Sequence, residues 1–180
     1  MKQVRAVDLK RYISSRSQTE LTNEILELYK LFPAVKEYYT AKIVPDFEQE
    51  VLEKYKKIIE NEFFPARGFG KLRFSVANKA IIDFTKVVKS PTYIAELKIT
   101  YVEFGVEFTK TYGDINEAFY NKMLAMYEKT ADYIVNENLE DVFRMRLENV
   151  MEEGQGIGWG FSEGLAEIYY SYFTEDEEDV

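Results

Sequence analysis

Apolar residues recur at intervals of three and four through most of this chain, and this helical period limits the fold more than any other feature. The clearest stripes are Leu21, Ile25, Leu28 and Phe32; Ala77, Ile81, Phe84 and Val88; and Ile94, Leu97, Tyr101, Phe104 and Phe108. Runs with the alternating pattern of strands are essentially absent. The sequence therefore predicts an all-α protein of about eight helices in antiparallel hairpins, arranged as a compact bundle or a short α–α superhelix.

Capping residues and helix breakers divide these stripes into separate helices. Ser, Asn and Asp side chains accept hydrogen bonds from the first backbone amides of a helix, proline is tolerated in the first turn, and glycine often ends a helix. Predicted helix starts lie at Ser17, Pro33, Pro45, Ser75, Ser90 and Asp114, and predicted ends or breaks at Gly113, Asn138 and Gly154. The last helix is predicted from about Ser162 to Phe173.

Four alternating glycines, Gly154, Gly156, Gly158 and Gly160, raise the question of a phosphate-binding loop. A dinucleotide fingerprint needs Gly-x-Gly-x-x-Gly after a strand, but Trp159 stands where the third glycine belongs and the preceding segment is helical. We interpret the segment as a joint between two helices. Ile157, Trp159 and Phe161 are expected to fill the core there, with an exposed binding role for Trp159 as the alternative.

Composition indicates one helical domain, residues 1–174, followed by an acidic tail at 175–180 that we expect to be disordered. No apolar run reaches the length of a membrane helix, and the first residues lack the apolar core of a signal peptide, so we expect a cytoplasmic protein. Cysteine and histidine are both absent. This excludes thiolate chemistry, Ser-His-Asp triads and histidine-containing zinc sites, and it favours a non-catalytic role without a cofactor.

The charge is unevenly distributed. The chain has a net charge of −9, yet residues 1–16 carry a local +4 and residues 64–90 a local +5, so the remainder carries −18. An acidic surface disfavours general attraction to nucleic acid or membranes, whereas two basic segments allow a local anion site.

Several long stretches carry a family resemblance: GKLRFSVANKAIIDF, EFGVEFTKTYGDINEAFYNKM and GIGWGFSEGLAEIYYSYF, together with LKRYISSRSQTELTNEILELYK near the start. With these stretches the chain resembles, over nearly its whole length, an uncharacterised bacterial family known only as a domain of unknown function. In that family a histidine often follows the Gly-Trp-Gly-Phe run, whereas this chain has Ser162. The resemblance implies an intracellular bacterial protein and brings no catalytic residues and no activity.

The loop at 65–75 is the best candidate ligand site. Arg67, Lys71 and Arg73 lie within seven residues, glycines allow a ligand to approach the backbone, and the following helix start offers amides to an anion. One interpretation is contact with a phosphate-bearing ligand or RNA backbone. The favoured interpretation is a surface loop whose cations pair with the acidic residues of the same chain.

Clustered carboxylates and aromatic side chains give two further hypotheses. Glu96, Glu103 and Glu107 share a helix face, but the two-metal pattern of helical bundles uses Glu-x-x-His, so a solvated face is favoured and no metal is predicted. The chain has 14 Tyr, 13 Phe and one Trp. We expect an aromatic interaction surface at Trp159, Tyr169, Tyr170 and Tyr172.

These features predict a helical protein-interaction module without catalytic activity. Its partner would be an unidentified protein or a second copy, with nucleic acid less favoured and no membrane. Binding of a phosphate-bearing ligand or RNA through the 65–75 loop is the alternative function.

Overall fold

The computed structural model describes residues 4–44 and 47–173, and this part of the chain contains nine helices and no strand. The helices are α1 (Ala6–Ser14), α2 (Gln18–Leu31), α3 (Pro33–Ile43), α4 (Phe47–Phe63), α5 (Phe74–Val87), α6 (Pro91–Tyr112), α7 (Glu117–Asn136), α8 (Glu140–Glu153) and α9 (Phe161–Phe173). The predicted all-α class is confirmed, with one helix more than the predicted eight.

Contacts along the chain divide it into two compact units, Met1–Pro45 and Asp46–Val180. The first unit holds α1–α3 and the second holds α4–α9. The predicted helix start at Pro45 and the predicted disordered tail at 175–180 lie outside the described residues.

Several predicted helix boundaries are confirmed by their hydrogen bonds. Ser17 caps α2, because its hydroxyl accepts from the Glu20 amide at 3.3 Å while the Glu20 carboxylate accepts from the Ser17 amide at 2.8 Å. Pro33 and Pro91 are the first residues of α3 and α6. Gly113 ends α6 with a φ of +82°, a value that glycine adopts without a steric penalty.

Two predicted caps are wrong. Helix α5 begins at Phe74, one residue before Ser75, and its N-cap Arg73 makes no side-chain capping bond. Helix α7 is capped by Asn116, whose side-chain oxygen accepts from the Phe119 amide at 3.0 Å. Asp114 instead accepts a hydrogen bond from the Tyr120 hydroxyl at 3.1 Å, because the chain is still in the α6–α7 connection there.

Helix α6 lies at the centre of the second unit. It contacts α4, α5, α7 and α8, while α9 packs against α7 and α8. Its buried stripe includes Leu97, Tyr101 and Phe108, in agreement with the predicted period, whereas Phe104 is half-buried. Phe63 of α4 packs against these rings with centroid distances of 5.7 Å to Tyr101 and 6.2 Å to Phe108. The abundant aromatic residues therefore form much of this core.

The glycine segment is the joint between α8 and α9, as predicted. Gly154 caps α8, and Gly156 and Gly160 have positive φ values of +79° and +70°. Phe161 is fully buried, but Trp159 is 57% exposed, so the expectation that this tryptophan fills the core is wrong. With its own φ at +61°, the Trp159 backbone lies in the left-handed region and its side chain lies outside the core.

Within the described residues, none of the helices combines the length and the apolar character needed to cross a lipid bilayer.

Candidate interaction surface

Helices α2 and α3 form an apolar groove in the first unit. Phe32 is both the C-cap of α2 and the N-cap of α3, so the helices join without an intervening loop. A cavity of about 350 Å³ lies against them, lined by Ile25, Leu26, Tyr29, Tyr39, Thr40, Ile43 and Val44. We call these seven residues the docking groove. Its lining is apolar except for the hydroxyl groups of two tyrosines and one threonine.

The first unit exposes an unusual amount of apolar surface. None of the residues of α1, α2 or α3 is buried. Leu26, Leu31 and Ile43 are 49%, 63% and 74% exposed. Exposed apolar side chains on helices without a buried residue are typical of a surface that another chain covers.

The two units differ in charge. Residues 1–45 contain eight Lys and Arg against five Asp and Glu, a net charge of +3. Because the whole chain has a net charge of −9, the rest of the chain carries −12. Cations lie over several tyrosine rings of the first unit: Arg16 is 4.4 Å from the Tyr12 centroid and Lys42 is 4.8 Å from the Tyr38 centroid. The positive charge lies in residues 1–16, which carry +4, whereas residues 17–45, which include both helices of the docking groove, carry −1.

The predicted basic loop contains an ion pair that the sequence analysis did not assign. Glu62, at the end of α4, is 3% exposed. Its carboxylate accepts from the Arg73 side chain at 2.6 Å to Nη2 and 3.0 Å to Nε, and from the Arg73 backbone amide at 3.1 Å. These hydrogen bonds lower the pKa of Glu62 below the ordinary carboxyl value, although burial alone would raise it. Arg73 thus neutralises a buried carboxylate and fixes the loop to α4.

The other two predicted ligands of this loop are on the surface. Arg67 and Lys71 are exposed, and so is Phe69, whose ring packs against Phe108 and Tyr112 at 5.1 and 4.7 Å. The three predicted cations therefore differ in their contacts. Arg73 is bound to Glu62, whereas Arg67 and Lys71 are exposed.

The four predicted aromatic contact residues do not form one patch. Tyr169 is 3% exposed and belongs to the core of the second unit, which argues against a role in contacts. Tyr170 is 54% exposed and Tyr172 is half-buried. Trp159 precedes α9, whereas Tyr170 lies nine residues into this helix, about 14 Å along its axis from Phe161.

The carboxylates considered for metal binding instead surround an arginine. Arg146 of α8 donates to Glu103 at 2.9 and 2.7 Å and also to Glu96, which accepts from Lys56 at 2.6 Å. Burial alone would raise the pKa of Glu96, but Lys56 and Arg146 lower it. Glu107 lines a neighbouring polar groove of about 570 Å³ between α6 and α8. No group of three or more acidic side chains suited to a metal ion occurs at positions 4–44 or 47–173.

Glu62 and the docking groove are the features that sequence reasoning missed. Glu62 lies seven residues after Tyr55 and three after Ile59, both buried, so its position on the apolar face of α4 was a usable signal. The docking groove had a weaker signal in the sequence, because the apolar stripe of α2 does not indicate whether other residues cover it in the folded protein.

Fold and surface together define an all-helical protein with a small basic, apolar unit and a larger unit with an aromatic core. The chain belongs to DUF6155, a family of unknown function, whose model matches residues 4–173. Neither a curated protein nor a solved structure matches the chain.

Proposed function

We propose that this protein is a cytoplasmic, non-catalytic interaction module and that the docking groove on α2 and α3 binds another protein. One observation carries the proposal: helices α2 and α3 have no buried residue, yet they present large apolar side chains around a cavity of about 350 Å³. Burial of one leucine or isoleucine side chain yields roughly 1.5–3 kcal/mol, so covering Leu26 and Ile43 alone supplies a useful part of a binding free energy.

The partner's chemistry follows from the shape and charge of the groove. A channel between two helices is suited to the apolar face of a third helix. Residues 17–45, which include α2 and α3, carry only −1, so the +4 of residues 1–16 is the charge that favours acidic residues flanking the bound helix, where they contribute to association rate and orientation. The proposed occupant is therefore an amphipathic helix of another protein with acidic flanking residues. A second copy of the chain is the competing occupant, disfavoured because two positive units would meet.

A peptide titration tests this proposal directly. The probes are two helical peptides with the same leucine face, one with glutamate and one with lysine on the polar face, titrated by calorimetry into the wild type. We expect the glutamate peptide to bind at least about tenfold more tightly. A Leu26→Asp/Ile43→Asp variant should lose that binding. A matched Val142→Asp/Met145→Asp variant, altered at exposed apolar residues of α8, should retain it.

The outcomes separate the competing interpretations. Equal binding of both peptides, or binding that survives the groove substitutions, would contradict the proposed surface. Light scattering on the wild type adds an independent test: a dimer that dissociates in the Leu26→Asp/Ile43→Asp variant would assign the groove to self-association instead.

Binding of a phosphate-bearing ligand or RNA at the 65–75 loop is the second candidate. It is favoured by the exposed Arg67 and Lys71, each two residues from the exposed Phe69 in the chain, because such groups suit a phosphate and a stacked base. Titration of single-stranded RNA at two salt concentrations, with wild type and Arg67→Glu/Lys71→Glu, tests it. Salt-dependent binding that the substitutions abolish would support this function, and its absence in the wild type would eliminate it.

A further inference from the structure

A second cavity lies on the larger unit, between helices α5, α6 and α7. Its volume is about 410 Å³, within the range of small-molecule sites. Ile81 and Ile82 of α5 and Met126 of α7 supply apolar surface, while the amides of Asn78 and Asn136 supply hydrogen-bonding groups. The lining also includes Lys98, Lys129, Asp132 and Tyr133, so the cavity combines apolar surface with several polar and charged groups.

Lys98 of α6 places a positive charge in the lining of this cavity. The lysine is half-buried, and its Nζ lies 4.0 Å from the centroid of the Tyr133 ring. Its only hydrogen bond is a long one, 3.4 Å to the backbone carbonyl of Lys129. Among the described residues no carboxylate lies within 4 Å of its ammonium group.

The missing counter-ion is the unusual feature. The other half-buried cations of this unit are satisfied, since Arg146 binds Glu103 and Glu96 and Lys56 binds Glu96. Burial lowers the pKa of Lys98, and Lys129 acts in the same direction, whereas Asp132 and Glu137 raise it from beyond ion-pair distance. A half-buried ammonium group in an open cavity is stabilised by an anion that enters it.

We propose that this cavity binds a small amphipathic anion, a single carboxylate or phosphate on an apolar body, with Lys98 as its counter-ion. The anionic group contacts Lys98 and the neighbouring amides, and the apolar body lies along Ile81, Ile82 and Met126. The exposed Lys129 adds a second positive charge to the lining and Asp132 adds one negative charge, which leaves a net charge of +1. The inference is independent of the docking groove, because it uses only residues of α5, α6 and α7.

Calorimetric titration with octanoate and octyl phosphate tests the proposal, with octylammonium as the probe of opposite charge. We expect at least one anion to bind the wild type with a Kd of about 1 mM or tighter and octylammonium not to bind. The substitution Lys98→Met keeps the apolar stem and removes the charge, and it should weaken anion binding by about tenfold or more. Thermal denaturation verifies that this variant folds.

Two controls keep the result specific. Lys122 also lies over an aromatic ring, 4.5 Å from the Phe74 centroid, but it is exposed. The substitution Lys122→Met should therefore change the affinity for the anion less than twofold. Repeating the titration in the Leu26→Asp/Ile43→Asp variant removes any binding by the docking groove. Equal affinity in the wild type and Lys98→Met, equal binding of octylammonium, or no binding of either anion would overturn the proposal.

Discussion

Replacing Glu62 with glutamine should destabilise the larger unit through a single ion pair. Glu62 is 3% exposed and accepts three hydrogen bonds from Arg73, at 2.6, 3.0 and 3.1 Å. Glutamine keeps the shape, but it removes the negative charge and turns an NH₂ group toward the guanidinium. Breaking a fully buried pair costs about 3–5 kcal/mol. Because the Arg73 side chain is 55% exposed, solvent screening reduces this, and we expect about 2 kcal/mol.

The assay is thermal denaturation followed by circular dichroism at neutral pH. For a protein of this size, a loss of about 2 kcal/mol lowers Tm by roughly 4–8 °C. Glu53→Gln is the matched control, because Glu53 lies on the same helix and makes only an exposed contact with Lys56 at 3.6 Å. That substitution should change the free energy of unfolding by less than about 0.5 kcal/mol.

The pH dependence supplies an independent check. The hydrogen bonds from Arg73 hold the pKa of Glu62 below 4.5 in the folded protein. Its contribution to stability is therefore present above the unfolded-state pKa and is lost as the pH falls through the lower, folded-state pKa. The stability difference between wild type and Glu62→Gln should shrink below about pH 4.5. A Tm for Glu62→Gln within 1 °C of wild type at pH 7, or a difference that grows in acid, would refute the reasoning.

Four further substitutions test the stability of the larger unit by urea denaturation. Gly70→Ala should lower the free energy of unfolding by at least about 1–3 kcal/mol, because the added Cβ would overlap two backbone carbonyls at the end of α4. Gly158→Ala is the control and should lower it much less, because its added Cβ would have no contact closer than 3.7 Å. Tyr127→Phe should cost about 1 kcal/mol, because it removes the 2.8 Å hydrogen bond from a fully buried hydroxyl to the Leu147 carbonyl; an unchanged unfolding midpoint would contradict that. Lys98→Met should leave the midpoint unchanged or raise it, since the half-buried ammonium has no carboxylate partner within the described residues; a clear decrease would show that the charge is stabilising.

The local signals predicted boundaries well where the capping chemistry was unambiguous. Ser17 with Glu20 and the Ser90–Pro91 pair satisfy helix amides within three residues, so their effect does not depend on distant parts of the chain. Asp114 was misassigned because a second capping residue, Asn116, lies two positions later and caps α7, while Asp114 accepts a hydrogen bond from Tyr120. Ser75 was misassigned because α5 begins one residue earlier, after Arg73, whose backbone amide and side chain are held by Glu62.

The candidate sites depended more strongly on long-range contacts. Arg67, Lys71 and Arg73 look equivalent in the sequence, but only Arg73 reaches the buried Glu62, eleven residues earlier. The residues of the predicted aromatic surface likewise differ in exposure, since Tyr169 is buried while Tyr170 is exposed. Adjacent helical residues point about 100° apart, so the neighbouring helices decide which of the two is covered.

The sequence by itself determined the all-helical class, because a 3.6-residue apolar period is a local property and is compatible only with helices. The absence of histidine and cysteine likewise removed whole classes of chemistry before any contact was known. Tertiary structure decided which polar groups are satisfied. Arg146 pairs with two carboxylates and Glu62 pairs with an arginine, whereas Lys98 pairs with no carboxylate among the described residues. Charge pairing acts over a few ångströms between helices that are distant in the chain, so composition and spacing do not encode it directly.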